Sequence, residues 1–358
     1  MKKVLFVCLH RPDRSPSQRF RFEQYLDYLK KNGFDYKFSW LLNEHDDKFF
    51  YSQGKLFKKG LIVLKSIWKR IGETARASNY DIVFVQREGL MLGTAFFEKR
   101  FAQKTKLIFD FDDSIWLQNV SVANKKFSIF KDAGKTKKII QLADLIFAGN
   151  NYLADYAKAF NRNVVIIPTT IDTDLYKPVE RSPNEKICIG WSGSITTIEH
   201  METKINALAE IKRRFGERVY FKIVGDGNYY SNLLETKGLP WKKESEIKDM
   251  AEFDIGIMPL PDTEWAKGKC GLKGLQYMAL AIPTIMSPVG VNTEIINDGK
   301  NGFLADSDDE WIEKLSLLIN SAELRKELGK AGRHTVEDKY SVSANRNLYL
   351  QYFNQLTS

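Results

Sequence analysis

The chain has 358 residues, of which 43% are hydrophobic and 28% charged. This composition is sufficient for two packed cores and excludes a disordered, collagen-like or solenoid chain. No apolar run reaches the roughly 18 residues of a membrane-spanning helix, and no signal-peptide core occurs, so we expect a cytoplasmic protein. Cys8, Cys188 and Cys270 lack C-x-x-C spacing, which predicts reduced thiols and excludes a disulfide framework or a zinc knuckle.

The net charge of +9 is distributed unevenly along the chain. Residues 1–170 carry 30 Lys and Arg against 17 Asp and Glu, whereas residues 171–358 carry 24 against 28. Such a basic half often meets an anionic surface. On charge alone, nucleic acid, phospholipid and a phosphorylated substrate all remain open as its partner.

Short runs of β-branched and aromatic residues alternate with helical patterns through the first half of the chain. Continuous apolar runs of this kind are typical of strands buried on both faces of a parallel sheet. The predicted strands are residues 3–9, 81–85, 106–110, 145–148 and 164–167, and the predicted helices lie near residues 18–31, 55–76, 89–103 and 150–160.

The alternation stops after Ile167 and then begins again. A turn-rich segment ends at Pro178, and residues 181–184 have the composition of a linker. The second set of predicted strands comprises residues 187–191, 219–224, 254–258 and 282–286, with helices near 199–214, 245–252, 272–281 and 308–319.

We therefore predict an α/β fold of two tandem Rossmann-like domains, each a doubly wound parallel sheet, with a ligand cleft between them. The first domain is expected to span residues 1–168, with a C-terminal helix of about residues 341–358 packing back onto it. The second domain is expected to span residues 169–340.

The most informative segment is residues 259–279, where a loop containing Gly and Lys joins a strand to a helix that begins near Gly271. Free amides at a helix start, with Lys269 and Lys273 beside them, are suited to holding a phosphate. The alternative is an exposed loop whose lysines only add solubility. The loops at residues 190–194 and 225–227 are suited to close approach of an oxygen-rich ligand, or are plain turns.

Together these segments resemble the GT-B glycosyltransferases of the large retaining family 4, also called glycosyl transferases group 1. The resemblance covers the linker at residues 167–178, the donor loop at 189–194, the turn at 224–227, the run from Gly271 to Leu304 and the tail at 324–340. It implies metal-independent transfer of a sugar, with retention, from a nucleotide-sugar donor to a glycan or lipid-linked acceptor in surface polysaccharide biosynthesis. No obligatory cofactor is implied.

The resemblance also implies which residues of the second domain bind the donor. The chain departs from the family pattern, because two glutamates separated by seven residues correspond here to Gly268 and Gln276, and Ser194 stands where an Arg is usual. A leaving nucleoside diphosphate develops negative charge, so we expect Lys269 and Lys273 to replace the missing cations and Lys269 to be catalytic. The expected donor-binding residues are Gly193, Ser194, Trp241, Lys269, Gly271, Leu272, Lys273 and Gln276.

In the first domain, Asp110, Asp112 and Asp113 lie at the end of a predicted strand. By resemblance, Asp112 stands where the family commonly has a histidine that faces the donor sugar, and we expect it to be catalytic. A D-x-D metal site and a purely structural cap or turn are the alternatives. The nucleotide-binding features lie in the other domain, and no histidine spacing predicts a metal, so we expect none.

The first βα loop carries Arg19 and Arg21, which are expected to bind a phosphate or an acidic acceptor, or else to lie on an outward helix face. Further on, residues 55–71 form a basic helical pattern with one apolar stripe. This stripe is expected either to lie on an anionic membrane surface or to pack in the core. Its members are Leu56, Leu61, Leu64, Trp68 and Ile71.

Two other functions are compatible with the sequence. The missing glutamates suggest a degenerate GT-B protein that binds nucleotide or glycan without catalysis, and the basic half suggests a nucleic-acid-binding protein. No nucleic-acid-binding module is recognisable, so a nucleic acid partner is not expected. The expected partners are a nucleotide-sugar donor, a glycan or lipid-linked acceptor and an anionic membrane surface, with the protein peripheral on the inner membrane face.

Overall fold

The computed structural model describes residues 1–52, 54–117, 132, 134–179 and 186–358. The linker predicted at residues 181–184 lies outside these residues. The chain divides into two compact units, residues 1–169 with 345–358, and residues 170–344. Each unit contains a sheet with helices between successive strands, and this confirms the predicted α/β fold class.

The first unit is built on one six-stranded sheet. Its strands are β1 (Lys2–Val7), β2 (Phe34–Ser39), β3 (Ile82–Gln86), β4 (Lys106–Phe111), β5 (Leu145–Ala148) and β6 (Val164–Ile166). All neighbours are parallel, in the order β2-β1-β3-β4-β5-β6. The helices are α1 (Pro16–Arg19), α2 (Leu26–Lys31), α3 (Glu44–Phe50), α4 (Leu56–Ala75), α5 (Phe96–Ala102), α6 (Gly134–Leu142) and α7 (Asn151–Lys158).

The apolar runs that predicted β3 and β5 are buried along their whole length. Strand β2 escaped prediction because it is the edge strand, where apolar and polar residues alternate and only Phe34 and Ser39 are buried. Alternation with a period of two is the pattern of a strand with one solvated face, and it differs from the continuous runs of the inner strands.

The second unit is built on a seven-stranded sheet. Its strands are β7 (Ile187–Ser192), β8 (Val219–Gly225), β9 (Tyr230–Ser231), β10 (Thr236–Pro240), β11 (Ile255–Met258), β12 (Thr284–Met286) and β13 (Phe303–Leu304). The order is β13-β12-β11-β7-β8-β10-β9, and neighbours are parallel except β9 and β10, which are antiparallel. The helices are α8 (Ile198–Glu202), α9 (Ile205–Phe215), α10 (Glu246–Ala251), α11 (Glu264–Lys267), α12 (Leu272–Ala279), α13 (Asn292–Ile295), α14 (Asp308–Asn320) and α15 (Ala322–Thr335).

The last helix, α16 (Val342–Thr357), supplies aromatic side chains to the core of the first unit. The Tyr349 ring stacks on the Tyr25 ring at a centroid distance of 4.4 Å, and Phe353 lies 6.2 Å from Phe6. Both Tyr349 and Phe353 are fully buried. Large buried rings of this kind contribute much of the apolar area that stabilises a core.

Both sheets contain a point at which the strand order reverses. In the first unit the reversal lies between β1 and β3, and in the second between β7 and β11. In open α/β sheets, ligands bind outside the carboxyl ends of the strands at such a point. The loops after β1, β3, β7 and β11 are therefore the places where a site is expected.

Candidate functional site

The loop after β7 packs against α12, the second helix after β11. A Cβ atom at Gly193 would lie 2.4 Å from the Trp191 ring and 2.8 Å from Cε of Lys273, so only glycine fits there. The ammonium of Lys273 lies 5.5 Å from the centroid of the Trp191 ring. The structure thus brings together Gly193 and Lys273, two of the residues predicted to bind a donor.

Helix α12 begins at Gly271, whose backbone has a left-handed φ of +69°. A Cβ atom at this position would lie 2.3 Å from Cδ1 of Ile295, so both conformation and space require glycine. The first amides of α12, including that of Leu272, have no acceptor within the helix. An anion near them would be favoured by these donors and by the helix dipole.

His200, on α8, is a buried neighbour of the two predicted lysines. Burial, together with the positive charges of Lys273 and Lys269, lowers its pKa from the ordinary value of 6.5 to about 4. His200 is therefore neutral at pH 7, and the ammonium of Lys269 also lies 5.1 Å from the centroid of the Trp265 ring. Sequence reasoning missed His200, because an isolated histidine in a helical segment carries no distinguishing signal.

Trp241 and Gln276 meet at Glu246, another residue that the sequence analysis did not select. Oε1 of Glu246 accepts hydrogen bonds from Nε1 of Trp241 at 3.1 Å and from Nε2 of Gln276 at 3.2 Å, and Oε2 accepts one from the Tyr176 hydroxyl at 2.9 Å. Gln276 is only 4% exposed, and its Nε2 also lies 3.1 Å from the Tyr176 hydroxyl. A buried carboxylate therefore stands beside the position where the resemblance predicts a glutamate.

The sequence carried only a weak signal for Glu246. It is the first residue of α10, and acidic residues are common in the first turn of a helix because they interact favourably with its dipole. The sequence does not show that this side chain accepts hydrogen bonds from Trp241, five residues before it, and from Tyr176 and Gln276, which are distant in the chain.

Ser194 has a local structural role at the start of a short 3₁₀ turn. Its backbone amide donates to Oγ1 of Thr197 at 3.0 Å, and its own hydroxyl lies 3.0 Å from the Thr196 hydroxyl. Ser194 is exposed, and its contact with a donor stays a prediction.

In the first unit, Asp112 is held at the carboxyl end of the sheet by two partners. Nε of Arg87 donates to its Oδ1 at 2.7 Å, and the Ser17 hydroxyl donates to its Oδ2 at 2.5 Å. Burial alone would raise the pKa of Asp112, but the adjacent Arg87 guanidinium brings the pKa below its usual range. Asp112 is therefore an ionised hydrogen-bond acceptor at neutral pH.

Arg87 binds both Asp112 and Asp113 at this end of the sheet. Its Nη2 also donates to Oδ2 of Asp113 at 2.9 Å, and its backbone has a left-handed φ of 61°, which is uncommon for a residue other than glycine. Backbone in this region costs on the order of 1 kcal/mol and persists where the surroundings enforce it. The Arg87 amide donates to the Asp110 carbonyl at 2.7 Å, and its guanidinium is bound by Asp112 and Asp113.

Arg21 does not occupy the position expected of an acceptor-binding residue. It is 1% exposed, and its guanidinium donates to the buried carboxylate of Asp110, 3.1 Å from Nε to Oδ1, and to the carbonyl of Ile167. Arg21 is not available to an acceptor because its buried charge requires an internal partner, which Asp110 supplies. Arg19 is half-buried with its guanidinium 4.9 Å from the Phe20 ring centroid, and its acceptor role stays a prediction.

The three aspartates of the D-x-D-like segment are each paired with an arginine, Asp110 with Arg21 and the other two with Arg87. Within the described ranges, no group of three or more His, Cys, Asp or Glu side chains is arranged to hold a metal ion.

In the same part of the chain, no helix combines the length and the apolar character that crossing a membrane requires.

Two Rossmann-like units, each a sheet of mainly parallel strands with helices between successive strands, define the GT-B class of fold. The chain resembles sucrose-phosphate synthase from Thermosynechococcus elongatus with a TM-score of 0.70 and 13% identity, over 99% of both chains. It resembles Anabaena HepE in complex with UDP-glucose with a TM-score of 0.64 and 14% identity, over 99% of this chain and 100% of that one. At such identities the likeness shows the fold alone.

Residues 186–321 match the family model described as "Glycosyl transferases group 1", which confirms the resemblance found in the second half of the sequence. An uncharacterised glycosyltransferase of Methanocaldococcus jannaschii is 32% identical over 124 residues, which are 32% of this chain and 34% of that protein. The chain thus matches about a third of the length of this curated relative.

Proposed function

We propose that the protein is a glycosyltransferase that moves a sugar from a nucleotide-sugar donor to a glycan or lipid-linked acceptor in surface polysaccharide biosynthesis. In this proposal the anomeric configuration is retained, and no metal is required. The match of residues 186–321 to a glycosyltransferase family supports the class of reaction. The structure of HepE with UDP-glucose, a neighbour in fold, supports a nucleoside diphosphate sugar as donor.

The observation that carries the proposal is the convergence of Gly193, Lys273 and the start of α12 at the strand reversal of the second unit. We assign the diphosphate to this place. The amides of Gly271 and Leu272 would donate to its oxygens, and Lys273 and Lys269 would neutralise them. Lys269 is the residue to which we assign stabilisation of the charge that develops on the leaving nucleoside diphosphate.

We assign the nucleoside to the cluster of Trp241, Glu246 and Gln276. Gln276 stands where the family usually has a glutamate, and the Glu246 carboxylate lies 3.2 Å from its amide nitrogen. In this cluster the negative charge is therefore carried by Glu246, the hydrogen-bonded neighbour of residue 276. Because Nε2 of Gln276 is engaged with Glu246 and Tyr176, its carbonyl oxygen is the atom that we expect to accept a hydrogen bond from a ribose hydroxyl.

In the first unit we propose that Asp112 contacts the sugar during transfer. The lowered pKa of Asp112 supports a role as a charged acceptor and argues against a role as a proton donor. Arg19 is proposed to bind a phosphate or acidic group of the acceptor.

We propose a cytoplasmic protein that binds its acceptor on the inner face of the membrane, which would give the basic first half an anionic partner.

A thermal-shift screen with UDP, GDP, ADP, CMP and their sugars tests donor binding, because a ligand that binds only the folded state raises the melting temperature. We expect one nucleoside diphosphate to raise it, and Lys273→Ala to remove the rise. Lys267→Ala is the matched control, since Lys267 is a nearby lysine whose ammonium is bound to Glu264 at 2.8 Å. No shift with any of these compounds would contradict the proposal.

The second candidate is a degenerate GT-B protein that binds its ligand without catalysis. It is favoured because positions 268 and 276 hold Gly and Gln where the family pattern has glutamates. A turnover assay distinguishes it from an enzyme. The nucleotide sugar that gives the largest thermal shift is incubated with the protein and a lipid-phosphate or glycan acceptor, and release of the nucleoside diphosphate is followed. We expect release that Asp112→Asn abolishes. Unimpaired binding without release across the acceptors would favour the degenerate protein.

A further inference from the structure

Helix α4 has its apolar and polar faces inverted relative to an ordinary domain helix. Its buried side chains are one apolar residue, Ile62, and five polar or charged ones, whereas its exposed face carries large apolar side chains. The buried polar set is Lys59, Ser66, Arg70, Glu73 and Thr74. Phe57 is 80% exposed and Trp68 67% exposed. The full exposed set, which we call the α4 apolar face, is Leu56, Phe57, Leu61, Leu64, Trp68 and Ile71.

Of the two alternatives for the stripe, the exposure of these side chains rules out packing in the core. Among the described residues, seventeen large apolar side chains are exposed, and six of them lie on this one helix. Scattered exposed apolar residues are normal, but a contiguous group marks a binding surface. The segment from Phe57 to Ile71 would present a strip about 21 Å long at a rise of about 1.5 Å per residue.

A buried network prevents α4 from turning its apolar face inward. Arg70 donates to the carbonyl of Gly89 at 2.5 Å, to Oε2 of Glu73 at 2.5 Å, to the Ser39 hydroxyl at 2.7 Å and to the carbonyl of Cys8 at 2.9 Å. Rotating the helix would strip these partners from a buried guanidinium and carboxylate, which is strongly unfavourable. The exposure of the apolar face is therefore maintained by the core.

The surroundings of the α4 apolar face are cationic. Residues 51–72 contain no Asp or Glu and six Lys and Arg, of which Lys59 and Arg70 are buried. The four exposed cations are Lys55, Lys58, Lys65 and Lys69. Lys58, Lys65 and Lys69 lie on one flank of the strip by helical spacing. The neighbouring helix α3 is acidic, but Asp46 pairs with Lys65 at 2.7 Å, and Asp47 pairs with Arg11 at 3.0 Å and Arg14 at 2.6 Å.

We propose that the α4 apolar face docks the protein on an anionic lipid bilayer, with α4 parallel to the membrane plane. Aromatic and aliphatic side chains entering the headgroup boundary beside lysines are the arrangement that binds such a surface. A second copy of the chain fits less well, because a stable protein interface takes about 20 to 30 residues a side and this face offers six. The inference deepens the proposed function and rests on it only for the identity of the acceptor in the membrane.

Vesicle flotation tests the proposal with the full chain. Vesicles of equal parts phosphatidylglycerol and phosphatidylcholine are compared with vesicles of phosphatidylcholine alone. We expect binding to the anionic vesicles, a loss of about tenfold or more in Phe57→Ser/Trp68→Ser, and weakening by high salt. Leu317→Ser, which changes an exposed leucine on α14, is the matched control and should bind as the unmodified chain does.

Melting temperatures of both variants show whether they fold. We expect both to fold, because the three altered side chains are exposed. Equal binding by the double variant and the unmodified chain, or no binding by either, would overturn the proposal. A dimer seen by light scattering that the double variant abolishes, without vesicle binding, would assign the face to a second copy instead. The nucleotide thermal shift is read separately on the same proteins, so failure of membrane docking and failure of donor binding are distinguishable.

Discussion

Gln276 donates a hydrogen bond from its amide nitrogen to the carboxylate of Glu246 at a distance of 3.2 Å. The two residues are thirty positions apart in the chain, and both are buried. An amide is the side chain that satisfies this arrangement, because a carboxylate at position 276 would face Glu246 with like charge and no proton to share.

Gln276→Glu should therefore lower the free energy of unfolding at pH 8, by about 1 to 3 kcal/mol. The paired carboxylates would have a raised pKa in the folded state, so the loss should shrink as the pH falls towards 5. The exchanged pair Glu246→Gln/Gln276→Glu restores one amide and one carboxylate and should recover most of the stability. Urea unfolding at both pH values measures this, and a double variant no better than the single one would contradict it.

Gly193→Ala tests the packing of the loop after β7 on α12. The added methyl group would lie 2.4 Å from the Trp191 ring and 2.8 Å from Cε of Lys273, so the lysine must move. We expect a loss of about 1 to 3 kcal/mol of unfolding free energy and weaker nucleotide affinity by titration calorimetry. Gly60→Ala is the control, since its methyl group meets nothing within 4 Å and should leave nucleotide affinity unchanged.

His200 should make stability depend on pH. Its folded pKa of about 4 lies below the ordinary value of 6.5, so the unfolded chain takes up the proton first as the pH falls. Stability is therefore full above about pH 6.5 and declines towards pH 4, by on the order of 1 to 2 kcal/mol. Melting temperatures of the unmodified chain and of His200→Leu from pH 4.5 to 7.5 measure the effect, and parallel curves would show that His200 does not contribute.

We expect the ion pair of Arg21 with Asp110 to stabilise the folded chain. Arg21→Met leaves the buried carboxylate of Asp110 without its ion pair and should cost about 3 to 5 kcal/mol of unfolding free energy. Arg21→Met/Asp110→Leu removes both charges and should recover much of that loss. Arg19→Ala is the comparison, with a smaller expected cost because Arg19 is half-buried. Urea unfolding gives all three values, and a stable Arg21→Met variant would return Arg21 to the candidate acceptor site.

The inner strands of the first sheet, and those of the second except β10, follow from local sequence. Continuous apolar runs such as those of β3 and β5 can be satisfied only where both faces are covered, so the run itself predicts the strand and the parallel sheet. The sequence also selected Gly193, Gly271 and Lys273 as candidates, because close backbone approach and phosphate charge restrict the residue types that serve. The structure shows tight packing at both glycines, and their contact with a donor stays a prediction. Strands β2, β9, β10 and β13 were missed. Residues in β2 and β10 alternate and form no continuous apolar run, and β9 and β13 have only two residues each.

Tertiary structure alone decided the remaining features. The periodicity of α4 defines an apolar stripe but does not reveal its direction, which is set when Arg70 meets Ser39, Gly89 and Cys8 from other elements. In the same way, Arg21 became internal because Asp110 lies opposite it, and Glu246 became part of the candidate site because Trp241 and Gln276 converge on it. Composition and period are local properties, whereas the partner of a buried charge is chosen among residues that only the folded chain brings together.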